Sequence, residues 1–111
     1  MYPPKMGGIV DYIKSFPKVI LWGAGNLGKE LGQELLRRDV SIFCYWDKNY
    51  KEIKKCNNII VNESFTEDPN DPQVLVISSI VNGIFGDNWT KDVLIEKGYK
   101  HYLLGMPLYE G

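Results

Sequence analysis

The stretch from Lys18 to Leu31, K-V-I-L-W-G-A-G-N-L-G-K-E-L, constrains the fold more than any other part of the chain. Val19, Ile20 and Leu21 form an unbroken apolar run, the pattern of a strand buried on both faces, and a helical pattern begins at Leu27. Between them Gly23, Gly25 and Gly28 stand at G-x-G-x-x-G spacing. In a strand–turn–helix setting the first glycine permits a tight turn off the strand. The second lets the backbone approach a pyrophosphate with no Cβ in the way, and the third lets the helix pack closely on the strand. Unpaired N–H groups at the helix start carry partial positive charge and attract an anion. Ala24, Asn26 and Leu27 share this loop and join the three glycines as candidate contacts. The competing reading is a glycine-rich turn kept only for tight packing of helix on strand.

Around this unit the chain alternates strand and helix patterns. Ile9, Ile13 and Phe16 make one apolar face of a short helix over Gly8–Phe16, ended by Pro17. That helix covers an end of the sheet or offers a surface to another subunit. A long helix is expected over Asn26–Arg38, with Leu27, Leu31, Leu35 and Leu36 inward. Gly32 inside it costs on the order of 1 kcal/mol relative to Ala, so a close approach to the sheet is its expected compensation. The second strand, Ser41–Trp46, ends at Asp47, 19 positions after Gly28. An acid about 20 residues beyond the glycines accepts the ribose hydroxyls of a dinucleotide and repels a 2′-phosphate, which favours NAD over NADP. Asp47 followed by Lys-Asn is also good turn chemistry in itself.

Between Lys48 and Pro72, where a complete mononucleotide unit would carry a second crossover helix, the chain instead has K-N-Y-K-E-I-K-K-C, N-N-I-I-V and S-F-T-E-D-P-N-D-P. At most one helical turn and a short edge strand at Ile59–Val61 fit, before a loop with two prolines. Val74–Ser78 is the next buried strand. Ser78, Ser79 and Asn82 follow at its carboxyl end, where they fit either ligand contacts or helix caps. Trp89–Lys97 reads as a helix with Trp89, Val93 and Leu94 inward and Gly98 at C′, and Tyr99–Leu104 as the last strand. The expectation is one α/β domain over residues 1–111, with 1–17 as an N-terminal helical extension. Its parallel sheet has four or five strands in the order 3-2-1-4-5.

Composition narrows the function classes. A net charge of −1 leaves no electrostatic footprint for nucleic acid. No window reaches the ~18 apolar residues of a membrane span, and the first residues lack a signal-peptide core, so a cytoplasmic protein with no membrane partner is expected. Cys44 and Cys56 form no C-x-x-C pair, and a single histidine, His101, excludes a metal site of several imidazoles. Tyr50 and Lys54 form a Y-x-x-x-K pair directly after the second strand, outside the context in which that pair moves protons. No catalytic residue is therefore assigned. Three tryptophans and seven tyrosines point to exposed aromatic surface and a homodimer.

The segments V-I-L-W-G-A-G-N-L-G-K-E-L, W-D-K-N, V-N-E-S-F and V-L-V-I-S-S together resemble the small Rossmann-like domains of bacterial surface-polysaccharide pathways. Such domains stand at the N-terminus of sugar O- and N-acetyltransferases and beside dTDP-glucose 4,6-dehydratase-related proteins. The resemblance spans Val19 to about Leu104. It implies an abbreviated Rossmann-like three-layer sandwich holding NAD or a UDP- or dTDP-type nucleotide-sugar. Gly23, Gly25, Asn26, Leu27 and Gly28 would then lie at the diphosphate and Asp47 near the base or ribose. No hexapeptide-repeat β-helix and no substrate domain accompany these motifs, so catalytic roles do not carry over. The function expected is a nucleotide-binding module working with a partner enzyme. The alternatives are an NAD-dependent oxidoreductase or dehydratase-related enzyme completed by a second subunit, and an interaction domain that has lost its ligand.

Overall fold

The computed structural model describes residues 6–80 and 89–104. In chain order these residues form α1 (Met6–Lys14), β1 (Lys18–Trp22), α2 (Asn26–Arg37), β2 (Cys44–Trp46), α3 (Tyr50–Ile53), β3 (Lys55–Cys56), β4 (Ile59–Asn62), β5 (Val74–Ser78), α4 (Trp89–Lys97) and β6 (Tyr102–Leu104). The apolar run of β1 lies at the middle of the sheet. It pairs in parallel with β5 along its whole length, from Lys18–Val74 to Trp22–Ser78, and with β2 from Ile20–Cys44 to Trp22–Trp46. β4 joins β2 and β6 joins β5, both parallel. The full order is β3-β4-β2-β1-β5-β6.

The sheet therefore has six strands, not four or five. The addition is β3, antiparallel to β4 across the two-residue turn Asn57–Asn58. Both asparagines have left-handed backbone, φ 53° and 64°, the requirement of a tight hairpin turn whose twist matches its strands. Asparagine tolerates that conformation, so the Cys-Asn-Asn-Ile segment was the available signal.

Side-chain alternation splits the core into two layers. Val19 and Leu21 of β1, with Tyr45, Leu75 and Ile77, pack against Ile13 of α1 and Leu31 and Leu35 of α2. Ile20 and Trp22, with Cys44, Trp46, Val74 and Val76, pack against Leu94 of α4 and Tyr99. A parallel sheet buried on both faces needs helices on both, and the two apolar sets supply them.

Two expected strand boundaries and one expected helix face shift, each for a local reason. β2 begins at Cys44 rather than Ser41, because the exit from α2 uses the preceding residues. Asp39 takes φ 64°, its N–H reaches the Leu36 carbonyl (3.1 Å) and the Val40 N–H reaches Leu35 (3.0 Å). That is a Schellman closure with Asp at the left-handed position. β6 begins at Tyr102 rather than Tyr99 because Gly98 (φ 92°) and Tyr99 close α4 in the same way, on the carbonyls of Ile95 and Leu94. The buried face of α2 is Gly28, Leu31, Gly32 and Leu35, while Leu27 and Leu36 are exposed. The helix rests on its glycines, which a search for apolar side chains passes over.

Gly32 has the compensation expected of it. A Cβ there would land on the Tyr45 hydroxyl. That hydroxyl donates to the Gly28 carbonyl (3.3 Å) and accepts from Asn57 Nδ2 (2.9 Å), which also donates to the Lys29 carbonyl (3.1 Å). Desolvation by burial pushes the Tyr45 phenol well above its ordinary value. Gly32→Ala should therefore cost about 1–3 kcal/mol through overpacking, although Gly→Ala inside an unobstructed helix gains about 1 kcal/mol. Urea unfolding checks this: the Gly32→Ala loss should be partly recovered when Tyr45→Phe is added, and a stabilised single variant would contradict the packing described.

At the other end of β1, Lys18 Nζ contacts Asp71 (3.2 Å) and Glu67 (3.8 Å). The Gln73 backbone N–H and then Lys18 hold the Asp71 carboxyl below its ordinary value. A carboxyl depressed only in the folded state adds stability above its ordinary range, and that stability disappears as pH falls through the folded value. The Tm difference between wild type and Asp71→Asn should narrow as pH drops below about 4. A difference that stays constant with pH would exclude this contribution.

Candidate functional site

The ladders bring Trp22, Trp46 and Ser78 side by side at the carboxyl ends of β1, β2 and β5. The segments leaving these ends surround a cavity of about 640 Å³. Gly23, Gly25, Asn26, Leu27 and Gly28 form one side, and Asp47 and Ser79 also line it. Most of the residues singled out in the sequence therefore meet in one place.

The three glycines serve different ends. Gly23 turns the chain with φ 109°, donates its N–H to the Trp46 carbonyl (2.7 Å), and has Ser79 Oγ 2.7 Å from where a Cβ would stand. A Cβ on Gly28 would strike the Gly23 carbonyl. Both are therefore required by packing. Gly25 is not: its backbone is extended (φ −78°, ψ −163°) and no heavy atom of the described residues lies within 4 Å of its Cβ position. It is the N-cap of α2, its carbonyl accepts the Lys29 N–H (2.9 Å), and among the described residues no side chain caps the first turn. The first-turn donors keep their partial positive charge beside the cavity.

Asp47 braces this loop. One carboxylate oxygen accepts the Ala24 N–H and the other the Asn49 N–H, each at 2.8 Å. The turn chemistry and the link to the glycine loop are thus both present in one residue. Ala24 itself is turned towards Asp47 and is not among the residues lining the cavity. Ser79 adds a second brace, with its hydroxyl donating to the Trp22 carbonyl (3.0 Å). Ser78 lies away from the cavity, its buried hydroxyl bonded to Thr90 Oγ1 (3.1 Å). Asn82 lies outside the described residues. Tyr50 and Lys54 are not among the lining residues, and burial pushes the Cys44 thiol up to about 12, away from nucleophile chemistry at neutral pH.

The opposite wall is aromatic, and the sequence reading missed it. Trp22 is buried and meets Phe65 (5.1 Å between centroids, 75°) and Trp89 (5.7 Å, 81°) edge to face. Trp89, expected inward, is 49 % exposed and lines the cavity with Val93, one turn further along α4. Phe65 has left-handed backbone, φ 66°, unusual for a bulky side chain and costing on the order of 1–3 kcal/mol. Trp46 (5.4 Å) and the Lys97 ammonium (5.1 Å) hold its ring. The only sequence hint was a tryptophan directly before both Gly23 and Asp47.

Among the described residues no cluster of three or more His, Cys, Asp or Glu could hold a metal ion, and no helix is long and apolar enough to cross a membrane. Compared with known proteins, the chain matches no family model, no curated protein and no solved structure.

The glycine assignments predict opposite stability effects. Gly28→Ala should lose about 1–3 kcal/mol by overpacking, while Gly25→Ser should leave stability unchanged or raise it by a few tenths of a kcal/mol, since serine is an equal or better N-cap. Equal losses in chemical denaturation would contradict the distinction.

Proposed function

We propose that this protein is a nucleotide-binding module that takes NAD or a UDP- or dTDP-type nucleotide-sugar with its diphosphate at the glycine loop. The observation that carries the reading is Gly25. Neither its backbone angles nor its neighbours among the described residues require glycine, yet it stands beside the cavity at a helix start that none of those residues caps. A missing side chain there serves something that approaches from outside the chain. The N–H groups of Asn26, Leu27 and Gly28 are the donors for phosphate oxygens. The carboxylate of Asp47 has accepting capacity beyond its two backbone bonds and is the candidate partner for ribose hydroxyls.

The parallel strands run β4-β2-β1-β5-β6, so the order reverses direction at β1 and β5, beside the cavity. Open parallel sheets hold ligands at such a reversal, which supports the Rossmann-like reading. Asp47 and the Ser79 hydroxyl on the cavity are engaged in bracing the loop. That arrangement favours binding over proton transfer and fits a module working with a partner enzyme.

A thermal-shift panel of NAD, NADP, UDP, UDP-N-acetylglucosamine and dTDP-glucose tests this. A ligand at ~100 times its Kd should add about 2.7 kcal/mol, several degrees in Tm for a domain of this size. Gly25→Val should melt as a folded protein and lose the shift. Silence across the panel would overturn the proposal, and a shift retained by Gly25→Val would remove the glycine loop from it.

A further inference from the structure

The cavity's chemistry is divided. The loop N–H groups, Asp47, Lys48, Asn49 and Ser64 stand on the polar part, while Trp22, Phe65, Ile80, Trp89 and Val93 contribute no charged group and no hydroxyl. Among the described residues that second wall offers the hydroxyls of a pyranose no charged group and no hydroxyl, and each unmet hydroxyl costs binding free energy. A planar heteroaromatic ring has no such groups on its faces. Trp89 is suited to receive one. Its ring is fixed edge to face on buried Trp22, yet half of the residue stays open to solvent and to the cavity. Its position on α4 repeats at Val93, so both project from one side of the helix towards the same space.

We infer that Trp89 is the stacking surface for the ligand's base, and that the site selects ligands by their heteroaromatic ring rather than by a sugar. This rests on the nucleotide-binding reading above and adds to it a specificity-determining residue. Stacking between a base and an aromatic side chain is strong enough to matter for affinity yet tolerant of which base is present. The site should therefore accept both purine and pyrimidine nucleotides and discriminate against the same phosphate lacking a base.

The test compares AMP and UMP with ribose 5-phosphate, which shares their sugar and phosphate. Affinities are read by calorimetry and by tryptophan fluorescence on the full chain. AMP and UMP should bind wild type, quench its fluorescence, and bind Trp89→Ala roughly tenfold more weakly. Trp89→Phe should retain most of the affinity but lose most of the quenching. Ribose 5-phosphate should bind more weakly than either nucleotide and be indifferent to both substitutions. Nucleotide affinity unchanged in Trp89→Ala would overturn the stacking role while leaving nucleotide binding intact. An equal loss for ribose 5-phosphate would do the same, by showing that Trp89 only shapes the cavity. Absence of binding by all three probes to wild type would overturn this inference, and silence in the dinucleotide and nucleotide-sugar panel as well would overturn the underlying reading.

Discussion

The arrangement depends on how closely α2 approaches the end of β1. At Gly28 the helix lies against the Gly23 carbonyl with no room for a methyl group, and at Gly32 it leaves space that the Tyr45 hydroxyl fills. Fixing the helix at those two points sets where its first turn stands relative to the strand ends. The Gly23 N–H bond to Trp46 and the Asp47 bond to Ala24 then tie the intervening loop to β2, and the Ser79 hydroxyl, 3.4 Å from the Gly23 carbonyl, ties it to the end of β5. The loop is held from three strands, and among the described residues no side chain caps the donors of the first turn beside the cavity. Such preorganisation lowers the ordering cost of receiving an anion.

Strain and aromatic packing sit on the other side of the same cavity. Phe65, in left-handed backbone, packs its ring on Trp22 and Trp46 under the Lys97 ammonium, so the core layer under α4 continues into the wall. The two halves of the site thus belong to different faces of the sheet. The glycine-loop side derives from α2 packing on the first core, and the aromatic side from α4 packing on the second.

Much of this could be read from the sequence because local pattern and tertiary role agree there. Val19–Leu21 has one buried arrangement open to it, and G-x-G-x-x-G after such a strand predicts the turn, the close helix and the acid at Asp47. Gly98 marked the end of α4 for the same reason. What was not legible depends on partners distant in sequence. Leu27 and Leu36 looked like core residues, but the helix rests on glycines whose contacts carry no hydrophobic signature. The β3 strand is two residues long, and its pairing rests on the left-handed tolerance of Asn57 and Asn58. Trp89 carries the pattern of an inward helix residue, and only its contact with Trp22 shows that it borders a cavity instead. Ser78 and Ser79 are adjacent and chemically identical, yet strand alternation sends one hydroxyl to Thr90 and the other to the loop.

The central claim is that the uncapped start of α2 receives an anion. The most direct measurement is a titration of the ¹⁵N-labelled protein with inorganic pyrophosphate, followed by amide chemical shifts. The account predicts saturable shifts concentrated on the amides of Gly25 to Gly28, with the strand amides of β1 and β5 little moved. Saturable shifts centred elsewhere, or none in that loop at millimolar pyrophosphate, would contradict it.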